Sequence, residues 1–144
     1  MKRALLMVAF ALAVATVSSG AAHAKGPTFV TFLTPSGNIG CGYTTGSPMR
    51  SLRCDIASGL KPRPHRPKNC AHLAWGDSYF MNVNGRVGLT CHGDTVIIKG
   101  SKVIAYGTTW SRGGFVCWSG TTGLRCRNAS RHGWFLSRQH SYRF

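Results

Sequence analysis

The fold predicted for this chain is decided by two similar stretches, IGCGYTTGSPMRSLRC (residues 39–54) and FVCWSGTTGLRC (residues 115–126). Each stretch begins with an apolar residue, a spacer and a cysteine, and each ends with Leu-Arg-Cys. Glycine and other turn-forming residues lie between the two cysteines, so each stretch is typical of a β-hairpin with one cysteine in each arm.

The alternation of side chains along a strand sets the register of both hairpins. If Cys117 lies opposite Cys126, Trp118 faces Arg125 on one side of the second hairpin. The other side then carries Phe115, Cys117, Leu124 and Cys126. In the first hairpin, if Cys41 lies opposite Cys54, the side that carries these cysteines also carries Ile39, Tyr43, Leu52 and Ile56. Both hairpins are therefore predicted to bury their cysteines among apolar neighbours.

The rest of the chain predicts further strands and little helix. Short segments rich in β-branched and aromatic residues alternate with Gly, Pro, Asn and Ser clusters. The predicted strands are 29–33, 38–43, 52–56, 86–91, 95–98, 102–106, 114–118, 124–128 and 134–138. Residues 69–75 are the best candidate for a helical turn. We expect an all-β, small disulfide-linked domain of antiparallel hairpins, either a sandwich or a partly open barrel.

All six cysteines are predicted to form disulfides. Because six cysteines allow many connectivities, the pairing is a hypothesis. It joins the cysteines in sequence order, as Cys41–Cys54, Cys70–Cys91 and Cys117–Cys126. A metal site would need closely spaced Cys and His ligands, and Cys91-His92 is the only adjacent pair. We therefore predict no metal and no cofactor.

The amino terminus is typical of a cleaved export signal. Lys2 and Arg3 precede the apolar run 4–17, and Ala22-His23-Ala24 has the pattern read by signal peptidase. A membrane anchor is the alternative, but fourteen helical residues reach only about 21 Å, against about 30 Å of hydrocarbon. We expect cleavage near Ala24, which leaves residues 25–144 as a single exported domain, soluble and monomeric, in the periplasm or the medium.

The chain is strongly basic. It contains 18 Lys and Arg residues and three acidic residues, which give a formal net charge of +15. Without Lys2 and Arg3 the charge is +13, and the sequence contains no glutamate. Such a charge attracts polyanions, for which nucleic acid, lipopolysaccharide, teichoic acid and anionic lipid surfaces all qualify. The alternative is that the charge serves only solubility and non-specific adhesion.

The scarcity of acids restricts the chemistry. Glycoside hydrolysis by paired carboxylates needs two acids at a defined separation. Calcium sites and two-metal phosphoryl transfer need clustered oxygen ligands. Three scattered aspartates, Asp55, Asp77 and Asp94, make all of these improbable.

The best-defined candidate binding patch lies on the outer side of the second hairpin. There the predicted register brings Trp118 beside Arg125 and Arg127. Aromatic and guanidinium groups of this kind form platforms for stacked bases or sugar rings. The alternative is a cation–π stack that merely shields a surface tryptophan.

A second candidate is the basic loop 61–68, which presents Lys61, Arg63, Arg66 and Lys68. Its three prolines favour an extended conformation. The loop is either a rigid arm that presents cations to a polyanion or a solvated connection to Cys70.

Five histidines downstream of the predicted cleavage point suggest a third possibility, a secreted cationic nuclease. They are His65, His72, His92, His132 and His140. Acid–base catalysis requires two such groups within hydrogen-bond reach of one phosphate, and the spacing brings no two together. We therefore assign no catalytic residue.

An ordered series of segments resembles a family of small exported bacterial proteins known only as a domain of unknown function. In this chain the segments are TPSGNIGC (34–41), LRCDI (52–56), CHGDT (91–95), GLRCRN (123–128) and HGWFLSR (132–138). The resemblance covers nearly all of residues 29–144. It implies an exported, disulfide-linked β domain and no particular activity.

The sequence thus predicts a non-enzymatic binding module that contacts an anionic envelope component or polymer. One alternative is a secreted cationic hydrolase such as a nuclease. Another is a structural or partner-binding envelope protein with incidental charge.

Overall fold

The computed structural model describes residues 26–46 and 50–144, which form a sandwich of two β-sheets. The first sheet has the order β5-β4-β3-β2-β1-β6. Its strands are β1 (Phe29–Leu33), β2 (Ile39–Thr44), β3 (Ser51–Ile56), β4 (Ser78–Asn82), β5 (Gly88–Leu89) and β6 (Lys102–Val103). Its strand pairs are antiparallel, except that β1 and β6 run parallel. The predicted all-β class is confirmed.

The second sheet has the order β11-β10-β9-β8-β7 and is antiparallel throughout. Its strands are β7 (Thr108–Arg112), β8 (Phe115–Gly120), β9 (Gly123–Arg127), β10 (Gly133–Leu136) and β11 (Ser141–Arg143). The helix found in the described residues is a single 3₁₀ turn, Lys68–Cys70, at the start of the predicted helical turn.

The two cysteine hairpins have the predicted register. Cys41 pairs with Cys54 across β2 and β3, and Cys117 pairs with Cys126 across β8 and β9. All ten side chains predicted to face inward, including the four cysteines, are buried. The structure contains three disulfides, Cys41–Cys54, Cys70–Cys91 and Cys117–Cys126, which join the cysteines in sequence order.

Two of these disulfides meet at the centre of the core. The sulfurs of Cys41, Cys54 and Cys126 all lie within 4.8 Å of one another, each fully buried. This cluster has the composition of a metal site, but its sulfurs are already bonded in pairs. The cluster therefore joins the two sheets by packing, one disulfide from each sheet.

Aromatic contacts between the sheets surround the disulfides. The ring centroids of Tyr43 and Phe115 are 5.9 Å apart, and those of Tyr79 and Trp134 are 6.0 Å apart. One continuous cluster of buried residues includes side chains of both sheets. A sandwich, rather than a partly open barrel, is therefore the architecture of the described residues.

The prediction of a strand at residues 95–98 is wrong. These residues instead cross the outer side of the first sheet, where the Val96 N–H donates to the Asp55 carboxylate over 2.9 Å. The Thr95 hydroxyl donates to the same carboxylate. The β-branched residues that suggested a strand are thus held by one buried acid instead of a neighbouring strand.

Asp55 is the centre of a polar cluster on that side. The Arg53 guanidinium donates to both Asp55 oxygens over 2.8 Å and to the Asp94 carboxylate over 2.7 Å. Burial alone would raise the pKa of the Asp55 carboxyl, but the hydrogen bonds from Arg53 and Val96 outweigh it and hold that pKa below its ordinary value. The cluster fastens the segment after Cys91 to the sheet.

The third aspartate lies next to this cluster. Asp77 contacts His92 Nε2 at 3.0 Å, and His92 Nδ1 contacts the backbone oxygen of Asp94. Two of the three acidic side chains of the sequence, Asp55 and Asp94, therefore lie on the outer side of the first sheet and pair with Arg53. The third, Asp77, directly precedes β4 and pairs with His92.

The predicted export signal, residues 1–24, lies outside the described residues. Residues 26–46 and 50–144 contain no helix long and apolar enough to cross a membrane.

Candidate functional site

The outer side of the five-stranded sheet carries one row of side chains across all five strands. The strand registers align Thr109, Trp118, Arg125, Phe135 and Tyr142 in that order. With neighbouring strands about 4.8 Å apart, the row extends for about 19 Å. Residues in such a row share one side of the sheet, because side chains alternate along each strand. The row therefore forms a continuous strip that contains three aromatic rings and a guanidinium.

A second, parallel row widens the strip. Arg127 on β9 lies opposite Gly133 on β10, and Gly133 exchanges two backbone hydrogen bonds with Phe144, just after β11. We call the combined surface the aromatic–arginine face. It consists of Trp118, Arg125, Arg127, Phe135, Tyr142 and Phe144.

The aromatic side chains of this face are accessible. Trp118 is 44 % exposed, Tyr142 46 % and Phe144 36 %. Because apolar groups of this size are usually buried in a small monomeric domain, a contiguous set of them on one side indicates a contact surface.

The rings beyond β9 contact one another. Phe135 and Tyr142 stack with centroids 5.4 Å apart, and Tyr142 and Phe144 lie 6.3 Å apart. The guanidinium carbon of Arg125 lies 3.9 Å from the Phe144 ring centroid, and the same guanidinium donates to the Tyr142 hydroxyl over 3.4 Å. Arg125 is therefore held in place before any ligand arrives, which reduces the entropy lost on binding.

Two glycines allow the rings to lie close to the sheet. A Cβ atom at Gly133 would come within 2.8 Å of the Phe144 ring, and one at Gly120 would overlap the six-membered ring of the Trp118 indole. Both rings consequently lie over backbone that carries no side chain. This arrangement favours a flat surface over a crowded one.

The three residues predicted as a binding patch are thus on one side of the sheet, with Trp118 opposite Arg125 and Val116 opposite Arg127. The stack that the structure contains is different from the predicted one, since Arg125 lies over Phe144. Phe135, Tyr142 and Phe144 were missed at the sequence level. The placement of Tyr142 and Phe144 depends on β11, a strand of three residues that the sequence pattern did not indicate. Phe135 lies on β10, within the predicted strand 134–138, but its pairing with Arg125 was not predicted.

The basic loop 61–68 is anchored to the domain. Arg63 donates to the Trp75 backbone oxygen over 2.9 Å, and Arg66 donates to the oxygens of Cys70 and Leu73 over 2.6 Å. The Trp75 indole in turn donates to the oxygen of His65. All four predicted cations are exposed, but two of them, Arg63 and Arg66, also hold the loop to the domain through these hydrogen bonds. These contacts favour the interpretation of residues 61–68 as a connection to Cys70 over that of a rigid arm that presents cations to a polyanion.

Of the five histidines, His92 has two close partners. Its side chain is buried and both ring nitrogens contact acceptors, the Asp77 carboxylate and the Asp94 backbone oxygen. No ring nitrogen of His92 is left for a substrate. The two contacts therefore hold the Cys91–Asp94 segment in place, and His92 does not serve as a general base. His132 is half-buried, and His65, His72 and His140 are exposed.

Comparison with known proteins gives one match. The profile described as "Family of unknown function (DUF6636)" matches residues 4–144. No curated protein and no solved structure matches the chain. Because the match covers nearly the whole sequence, the chain belongs to the family of unknown function DUF6636.

Proposed function

We propose that this protein is an exported, non-enzymatic binding module whose aromatic–arginine face contacts an anionic polymer of the bacterial cell envelope. The observation that carries the proposal is the row Trp118–Arg125–Phe135–Tyr142. In it, the exposed ring of Trp118 and the half-buried ring of Phe135 flank the Arg125 guanidinium on the neighbouring strands.

The chemistry of the face suits such a ligand. Aromatic rings contact the flat sides of sugars or bases, and guanidinium groups bind carboxylates and phosphates with two parallel hydrogen bonds. Arg125 and Arg127 provide the second kind of contact within a few ångströms of the first. A row of about 19 Å is long enough for several units of a polymer, so several weak contacts can add.

The distribution of charge supports an anionic ligand. Ion pairs of the described residues involve only Arg53 and His92, both distant in the fold from the outer side of the second sheet. The cations of the aromatic–arginine face have no carboxylate side chain beside them. They therefore retain their charge for a ligand, and the net charge of +13 after signal removal attracts it from a distance.

The disulfides support an exported protein. Three disulfides in a small domain are typical of an oxidising environment, which agrees with the predicted signal at residues 1–24. We propose that residues 25–144 act as a single monomeric domain in the periplasm or the medium. Binding is favoured over hydrolysis because both ring nitrogens of His92 are occupied.

The proposal is tested by binding of oxidised residues 25–144 to lipopolysaccharide, teichoic acid, single-stranded DNA and anionic vesicles across a salt series. The triple variant Trp118→Ala, Arg125→Ala, Arg127→Ala removes one ring and two charges from the face. We expect the preferred ligand to bind the variant at least about tenfold more weakly at moderate salt, because stacking and charge-assisted hydrogen bonds are lost together.

The matched control is Tyr106→Ala, Lys99→Ala, Arg138→Ala, which removes one exposed ring and two charges elsewhere. It is expected to weaken binding only as far as net charge requires. The proposal is contradicted if the two triple variants lose affinity equally and every ligand shows the same steep salt dependence. That result would mean that the charge causes only non-specific adhesion.

A further inference from the structure

The sandwich is open along one side, where an edge of each sheet meets solvent. The edge strands there are β5 of the first sheet and β11 of the second. A cleft of about 670 Å³ lies between them, within the range of small-molecule sites. We call it the edge cleft.

The apolar wall of the edge cleft is the inner side of the first sheet, and Tyr142 and Phe144 of the aromatic–arginine face also line the cleft. Tyr79 and Leu89 are partners across β4 and β5, and Val87 lies just before β5. Behind Tyr79 lies the fully buried Trp134 of the opposite sheet. The cleft is therefore an accessible continuation of the apolar layer between the sheets.

The mouth of the edge cleft is cationic. Arg86, His132 and Arg143 line it, and no aspartate contributes to its lining. Arg143 donates to the Val87 backbone oxygen over 3.3 Å, so this side chain bridges from β11 to the first sheet. The backbone oxygen of Phe144 accepts the N–H of Gly133 and is directed to β10.

The interior of the edge cleft is poorly hydrated at Tyr79. Burial raises the pKa of the Tyr79 hydroxyl above its ordinary value, although the nearby charge of Arg143 acts in the opposite direction. Contact between such an apolar wall and a fully hydrated ion contributes little favourable binding free energy. An apolar group that displaces water from the wall contributes more.

We propose that the edge cleft binds a small amphiphilic anion, that is, an apolar chain or ring that carries one carboxylate or phosphate. The apolar part lies along Tyr79, Val87 and Leu89, and the anionic group contacts Arg86 and Arg143 at the mouth. The edge cleft shares Tyr142 and Phe144 with the aromatic–arginine face, but Trp118, Arg125 and Arg127 do not line it. Variants of those three residues therefore test the polymer proposed for that face without altering the cleft.

The test is calorimetric titration of oxidised residues 25–144 with dodecanoate and dodecyl phosphate, each below its micellar concentration. Dodecanol and dodecyltrimethylammonium are the neutral and cationic counterparts, and inorganic phosphate is the head group alone. We expect saturable 1:1 binding of an anionic amphiphile. Dodecanol, the cation and inorganic phosphate are each expected to bind at least about tenfold more weakly, since each lacks one of the two contacts.

Two variants locate the site. Arg143→Gln and Arg86→Gln are each expected to weaken the anionic amphiphile about tenfold, and Arg86 is exposed, so its replacement leaves the fold intact. Arg138→Gln removes one exposed charge elsewhere and is expected to have no effect. Trp118→Ala is expected to leave this affinity unchanged, because Trp118 does not line the edge cleft.

The proposal is overturned if dodecanol binds as tightly as dodecanoate, because the cleft would then be an unspecific apolar surface. It is also overturned if Arg86→Gln and Arg143→Gln keep the affinity of the parent protein, or if Trp118→Ala abolishes it. Different affinities for dodecanoate and dodecyl phosphate would identify which anionic group the cleft prefers.

Discussion

Replacement of Asp55 by Asn is expected to lower the free energy of unfolding at pH 7 by about 3 kcal/mol. The substitution removes the charge from a buried carboxylate that pairs with Arg53 through two hydrogen bonds, and breaking such a pair costs about 3–5 kcal/mol. The lower end is expected because Arg53 keeps its contact with Asp94. Urea denaturation of the oxidised protein measures the loss.

The matched control is Asp94→Asn, which makes the same chemical change on a carboxylate that is 78 % exposed. A loss below about 1 kcal/mol is expected there, because water screens exposed ion pairs. Similar losses for the two variants, or no loss for Asp55→Asn, would show that the cluster does not hold the 95–98 segment.

The same pair sets the expected response to acid. Because the pKa of Asp55 is lower in the folded protein than in the unfolded chain, its stabilisation is complete above the ordinary carboxyl pKa of about 4. It is lost as the pH falls through the folded pKa. The difference in stability between the parent protein and Asp55→Asn is therefore expected to shrink in acid. A difference that stays constant below pH 4 would exclude this assignment.

Removal of the disulfide between Cys41 and Cys54 by double replacement with Ala is expected to cost about 4 kcal/mol. Loop closure over a sequence separation of 13 contributes about 3 kcal/mol in the chain-entropy model. The remainder comes from packing, since both sulfurs are fully buried beside Cys126 at the centre of the core. Thermal and urea unfolding measure the loss, after mass spectrometry has verified the other two disulfides.

The comparison is the double replacement of Cys70 and Cys91 by Ala. Its larger sequence separation of 21 gives a loop-closure contribution that is again about 3 kcal/mol, but Cys91 is only half-buried. We expect the core pair to cost more. If the Cys70–Cys91 pair costs as much or more, loop length alone determines the effect and the central contact between the disulfides contributes nothing.

The sequence predicted the parts of this fold that cysteines define. In each hairpin, two cysteines set the register, and the alternation of apolar residues on either side agrees with it. The inward positions of Leu52 and Leu124 and the pairing of Trp118 with Arg125 follow from that register alone.

Strands without a cysteine were predicted less well: β1 was predicted with its observed bounds, 29–33, but β4, β7 and β11 were not predicted. The edge strands β7 and β11 are rich in polar residues, and β4 follows a long connection that gives no turn signal close to its start. Conversely, residues 95–98 have β-branched side chains but form no strand, because Asp55 accepts the hydrogen bonds of Thr95 and Val96. The hydrogen-bond donors to a buried acid cannot be predicted from the sequence, because here the donor and the acid are 40 positions apart.

The candidate site shows the same division. Trp118, Arg125 and Arg127 belong to one cysteine hairpin, so their common side was predictable. Phe135, Tyr142 and Phe144 join them only because β10 and β11 extend the sheet beyond that hairpin. The contribution of Phe135 depends on the register of β10 against β9, and that of Tyr142 and Phe144 depends on the register of β11. No cysteine sets either register.

The central claim, that the aromatic–arginine face binds an anionic polymer, is tested most directly by nuclear magnetic resonance of oxidised residues 25–144. The chain has four tryptophans, and each indole N–H gives its own signal. On titration with lipopolysaccharide or teichoic acid fragments, we predict that the Trp118 indole and the backbone amides of β9 and β10 shift together and saturably. The signal of the fully buried Trp134 serves as the internal reference. Shifts confined to the basic loop 61–68, or spread evenly over all exposed cations while Trp118 stays unchanged, would contradict the account.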